Sequence, residues 1–164
     1  MELLDQLESP VLRDKAIGIL LNLNRNTSRQ FSIKEILTLL DRQTDPMIKA
    51  QTLAGLTLTV KQAMEPGGKE FALTQIEPRL AALARQNSIL SPLHDAYLTD
   101  AIRYAYQVSK ELKTSYADRI LDPALRAAVQ KELAGGTFTG KYPSVRNILG
   151  KTYDTRFSLI DTKK

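Results

Sequence analysis

The sequence predicts an all-α protein, and three observations carry that expectation. Leucine (25) and alanine (16) make up a quarter of the 164 residues, whereas valine occurs 5 times. Unbranched side chains and alanine lose little rotamer freedom in a helix, while β-branched ones suit strands. A small polar residue followed by proline also recurs ahead of apolar helical patterns, at Ser9-Pro10, Asp45-Pro46, Ser91-Pro92 and Asp122-Pro123. Serine and aspartate accept from the orphan N–H groups of a helix start, and proline fits the first helical position because its missing N–H is not needed there. Finally, the last alanine is Ala134, and half of the glycines (Gly135, Gly136, Gly140, Gly150) fall in the 30 residues after it. Helix-forming chemistry is concentrated ahead of that point.

The elements follow in order. Met1 to Leu7 reads as a short lead helix, and Ser9-Pro10 opens a helix near 10–24, closed by the polar stretch Asn24 to Gln30. Ser32-Ile33-Lys34-Glu35 fits a capping box, in which serine and glutamate satisfy each other's backbone N–H groups, and starts a helix over 32–42. Asp45-Pro46 opens a helix over 46–64, ended by Glu65-Pro66-Gly67-Gly68. A helix over 69–87 contains Pro78, which either kinks it or starts its second half. Ser91-Pro92 opens 92–113, residues 114–121 supply a further turn or two, and Asp122-Pro123 opens 123–134, which Gly135-Gly136 closes. Residues 1–136 thus read as a helical domain and 137–164 as a non-helical C-terminal extension, so a cut near Gly135-Gly136 is expected to leave the helical domain folded.

The first two proline starts align further. Pro10-Val11-Leu12-Arg13 lies over Pro46-Met47-Ile48-Lys49, Ile17-Gly18 over Leu53-Ala54 and Leu20 over Leu56, an offset of 36 residues. Asp122-Pro123-Ala124-Leu125-Arg126-Ala127-Ala128 repeats the opening. These segments resemble HEAT or armadillo-like helical repeats, in which helix pairs stack and bury a shared core. The resemblance is partial, because successive starts are 36, 46 and 31 residues apart and Asp95 stands where the third unit should be basic. It implies a right-handed helical stack; a compact helical bundle is the alternative.

Composition excludes several classes of function. Without cysteine there is no disulfide, thiolate nucleophile or cysteine-ligated metal, and the single histidine, His94, excludes sites that need two. No apolar run approaches the roughly 18 residues that cross a bilayer, and Met1-Glu2-Leu3-Leu4-Asp5 lacks the basic start of a secretory signal. A cytoplasmic, cofactor-free protein is the expectation. The formal charge of +5 is uneven: residues 137–164 carry six basic groups against Asp154 and Asp161, or +4, and residues 1–136 carry 17 basic and 16 acidic groups, or +1.

No motif points to catalysis. Gly135 to Lys141 matches the spacing of a phosphate-binding loop, but it follows a helix, and Tyr142-Pro143 replaces the required hydroxyl and the start of a helix. His94-Asp95 is read as a surface pair, since neighbouring helical side chains diverge. Asp95 and Asp100 are read as partners of the helix dipole, and Asp118 and Asp122 as cap and dipole groups. Tyr97, Tyr104 and Tyr106 read as inter-helix packing. Arg25 and Arg29 flank a polar loop able to touch phosphate.

The extension mixes Lys141, Arg146, Lys151 and Arg156 with Phe138, Tyr142, Tyr153 and Phe157, and Tyr153, Thr155, Phe157 and Leu159 alternate as in a strand. Three readings stand: an arm that docks on a protein, a single-strand nucleic-acid binder in which bases stack and phosphates pair, or a terminus packed or disordered on its own helices. Stacked pairs would form a groove from helices 32–42 and 69–87, where Lys34, Arg42, Lys69, Arg79 and Arg85 nearly balance Glu35, Asp41, Glu70 and Glu77. A groove that tracks phosphates is strongly positive. The sequence therefore points to a scaffold or adaptor for a protein partner, with Tyr142, Arg146, Lys151, Tyr153, Arg156, Phe157 and Leu159 as partner-binding candidates and with nucleic-acid binding through the same extension as the alternative.

Overall fold

In the computed structural model, which describes residues 2–26, 32–57, 72–109, 114–139 and 141–149, all regular structure among the described residues is helical. The chain divides into two units, Met1–Thr52 and Leu53–Lys164.

The first unit contains α1 (Glu2–Asp5), α2 (Pro10–Asn26), α3 (Ile33–Arg42) and the start of α4 (Pro46–Thr57). The capping box forms: the Glu35 N–H donates to Ser32 Oγ at 3.3 Å, and Ser32 N–H donates to Glu35 Oε2 at 2.7 Å. Asp45 caps α4 by accepting from the N–H groups of Met47 (2.8 Å) and Ile48 (3.2 Å). Leu4, Ile17, Leu21, Ile36, Leu39, Leu40 and Ala50 are buried. Ile17 and Leu21 stand four apart, as do Ile36 and Leu40, so each helix turns one apolar stripe inward. A buried amide organises the corner between α3 and α4. Gln43 Nε2 donates to the Asp14 carbonyl (3.1 Å), while its Oε1 accepts from Thr44 and Asp45 N–H (3.0 and 3.1 Å). α4 packs close to α2 at Gly18, where a Cβ would sit 3.4 Å from Ile48 Cδ1, at the near limit of ordinary contact.

The second unit runs through a π-helical turn (Ala72–Ile76), α5 (Glu77–Gln86), a 3-10 turn (Ser88–Leu90), α6 (Ser91–Ser109), α7 (Thr114–Ala117) and α8 (Pro123–Ala134). Pro78 lies in the first turn of α5, so it starts the second half of the expected 69–87 helix. Asp122 caps α8, accepting from Leu125 N–H at 2.8 Å. Leu98, Ile102, Tyr116, Ala117, Ile120, Val129, Leu133 and Phe138 form one buried cluster, with Tyr106, Leu125 and Tyr142 packed against it.

Three expectations are corrected here. Ser91 does not cap its helix. It is itself helical (φ −57°, ψ −43°), and Asn87 caps the preceding 3-10 turn by accepting from Ile89 N–H at 3.3 Å. Helical structure also resumes in the extension, where residues 145–149 form a turn and Ser144 Oγ accepts from Asn147 N–H at 3.1 Å. Lastly, the boundary expected at 136 separates residues that pack together. Phe138, Val145 and Leu149 are buried, so a cut at Gly135-Gly136 removes core side chains. The segment is fastened to α6 by polar contacts: Val145 N–H donates to Asp100 Oδ2 (2.8 Å), Thr99 Oγ1 to the Pro143 carbonyl (2.9 Å) and Arg103 to the Tyr142 carbonyl (3.0 Å). The strand-like stretch 153–159 lies outside the described residues.

Candidate functional site

The densest polar cluster described lies inside the second unit and centres on His94. Its helix, α6, buries His94, Leu98 and Ile102, a stripe at four-residue spacing that Leu90 of the preceding 3-10 turn continues, so His94 occupies a core position and is fully buried. The surface reading of this residue is therefore overturned. Its Nε2 faces Glu77 Oε1 at 2.9 Å and its Nδ1 faces Asp95 Oδ1 at 3.0 Å. Consecutive helical side chains leave the axis about 100° apart, yet the ring edge nearest its own backbone closes the gap to Asp95.

Both carboxylates are engaged a second time. Glu77, the first residue of α5, accepts from Arg119 at 2.9 Å through Oε2. It was expected among the groove charges but is turned inward, at 7% side-chain exposure. Asp95 accepts from the backbone N–H groups of Leu121 (2.8 Å) and Asp122 (2.9 Å). It serves the α7–α8 connection, not the dipole of its own helix. Buried ionic groups cost several kcal/mol each unless every charge is paired and hydrogen-bonded, and here each member has such partners.

Burial opposes the charge on all three groups, and the contacts outweigh it. The hydrogen bonds and charges of Asp95 and Glu77 raise His94 above the ordinary histidine value. The His94 and Arg119 contacts hold Glu77 below the usual carboxylate range, and His94 with the Leu121 and Asp122 N–H groups does the same for Asp95. Asp100 behaves oppositely: burial raises it despite Val145 N–H and Arg103.

Chemically, the arrangement is a clamp. Both imidazole nitrogens are occupied and the ring is buried. The two carboxylates sit on opposite nitrogens, which prevents one cation from meeting all three groups; among the described residues no metal-binding cluster forms.

The partner-binding candidates fare differently. Tyr142 is half-buried and stacks on Phe138 with centroids 5.4 Å apart, and burial together with Glu132 pushes its phenol up to about 12. Arg146 is exposed. Lys151, Tyr153, Arg156, Phe157 and Leu159 lie outside the described residues, as does Arg29. Tyr97 is fully buried, while Tyr104 and Tyr106 are half-buried. Asp118 accepts from Gln130 Nε2 at 2.8 Å. Gly135 and Gly136 close α8, and Gly136 takes φ +79°.

Composition did not reveal that three large apolar side chains of α2 are exposed. Val11, Leu12 and Ile19 are 63%, 55% and 61% exposed. At 100° per residue the three fall within an arc of about 100°, with exposed Lys15 between them. Compared with protein-family models, curated proteins and solved structures, the chain matches none.

Proposed function

We propose that the protein is a non-enzymatic scaffold or adaptor that binds a protein partner through the exposed face of α2, with the C-terminal segment around Tyr153, Phe157 and Leu159 as a second contact. The observation that carries this reading is the shared face of Val11, Leu12 and Ile19, three large aliphatic side chains held in water on one side of α2 with Lys15 between them. Apolar clusters of this kind mark interaction surfaces, whereas single exposed apolar residues need no explanation. The one histidine supports a non-catalytic role, because its nitrogens are taken by Glu77 and Asp95. The charge of residues 1–136, 17 basic against 16 acidic groups, supports a protein partner over nucleic acid, since a surface that tracks phosphates is strongly positive.

The test captures partners from cell extract with the full chain and with a Leu12→Asp/Ile19→Asp variant, at two salt concentrations. A protein retained by the parent, lost by the variant and little affected by salt is the expected result. Capture that is nuclease-sensitive and falls steeply with salt would establish the nucleic-acid alternative. Four phosphate contacts on a single strand give a log-log slope of about −3.

A further inference from the structure

We propose that the Glu77–His94–Asp95 cluster is a pH-sensitive clamp, in which loss of the imidazolium proton on the alkaline side releases residues 121–122 from α6. The geometry requires the doubly protonated ring. A neutral imidazole has one N–H, so its other nitrogen presents a lone pair. With carboxylate oxygens 2.9 Å from Nε2 and 3.0 Å from Nδ1, either neutral tautomer sets a lone pair against a negative oxygen in a buried site.

The groups facing the ring come from each element packed around it. Asp95 stands on α6 itself, Glu77 on α5, and Arg119, which follows α7, reaches Glu77. Tyr97 lies within electrostatic reach of Glu77 and of Tyr116, and burial, with those two groups, raises the Tyr97 phenol beyond its ordinary value. With His94 charged, two cations meet two carboxylates. Once the proton passes to solvent, one negative charge is left over.

The two carboxylates do not share that loss equally. Glu77 keeps Arg119 at 2.9 Å, whereas the cation on Asp95 is His94. Asp95 is also the group that accepts from Leu121 and Asp122 N–H. In the Nε2–H tautomer Asp95 faces the Nδ1 lone pair with no counter-charge; a carboxylate so placed in a low-dielectric site gains by moving to water, and its departure frees those two N–H groups. The segment between α7 and α8 is therefore what the switch controls. The sign is fixed by the raised folded-state value of His94. The clamp's contribution is complete below the unfolded histidine value of 6.5 and is lost as pH rises through the folded one.

Because the chain has one histidine, its imidazole signals need no mutational assignment. Nuclear magnetic resonance on the full chain should give a His94 midpoint above 6.5 and the ¹⁵N signature of imidazolium below that midpoint. Hydrogen exchange at Leu121 and Asp122, corrected for its intrinsic pH dependence, should lose protection at that same midpoint while Leu98 and Ile102 keep theirs. Asp95→Asn should lower the midpoint by about one unit or more. His94→Gln should abolish the pH step in Leu121 protection; if that variant does not fold, the parent titration and the Asp95→Asn shift decide. A midpoint at or below 6.5, unchanged protection at Leu121 and Asp122 across the midpoint, or loss spread evenly over α6 would each overturn the clamp.

Discussion

Phe138→Ala tests whether the segment after Gly136 belongs to the folded body. Phe138 is 7% exposed and sits in the cluster with Ile120, Val129 and Leu133. Its ring also stacks on Tyr142, with centroids 5.4 Å apart and planes at 25°. Truncating a buried phenylalanine to alanine costs about 3–5 kcal/mol through lost transfer energy and the residual cavity. About 0.5–1.5 kcal/mol of aromatic pairing is part of what disappears. Phe138 lies at the edge of its cluster, where neighbours can close in, so the lower figure, about 3 kcal/mol, is expected. That is more than a hundredfold in the folding equilibrium at about 1.4 kcal/mol per factor of ten. The assay is urea unfolding of the full chain followed by far-ultraviolet circular dichroism, with exposed Thr137→Ala as the control, expected within about 0.5 kcal/mol of the parent. A Phe138→Ala midpoint corresponding to less than about 1 kcal/mol would refute the reasoning and return residues 137–149 to the status of an appendage.

Asp122→Ala removes the side chain that caps α8 and should cost about 1 kcal/mol in the same urea assay. Gly136→Ala places a side chain at φ +79° with nothing within 4 Å of its Cβ. Its cost is purely conformational, about 1–2 kcal/mol, and a neutral result in thermal melts would contradict the helix ending described. On the acid side, Glu77 and Asp95 have folded values below their ordinary 4.5 and 3.8. Their stabilisation is whole above those ordinary values and is lost as pH falls through the depressed ones. Urea midpoints measured downward from pH 5 should therefore drop, and Glu77→Gln should flatten the drop.

Much of the architecture was legible because it is local. Ser32 with Glu35, Asp45 and Asp122 declare helix starts through contacts made within three residues, and tertiary context left them unchanged. Ser91 failed for an equally local reason: Asn87 offers an earlier cap, and the 3-10 turn it starts runs straight into α6. His94 could have been placed from its spacing to Leu98 and Ile102, a core stripe that its polarity concealed.

The sequence by itself determined that the described residues are helical, where the helices after Asp45 and Asp122 begin, and that Gly135-Gly136 ends the helix opened at Pro123. Capping, proline geometry and side-chain entropy act over three or four residues and do not depend on what lies across the core. Only the tertiary structure decided that Glu77 meets His94 across 17 positions, that Asp95 holds Leu121 and Asp122, and that Phe138, Val145 and Leu149 are buried. A buried charge is tolerated only where distant partners converge on it. Such convergence is a property of packing and leaves no periodicity in the chain.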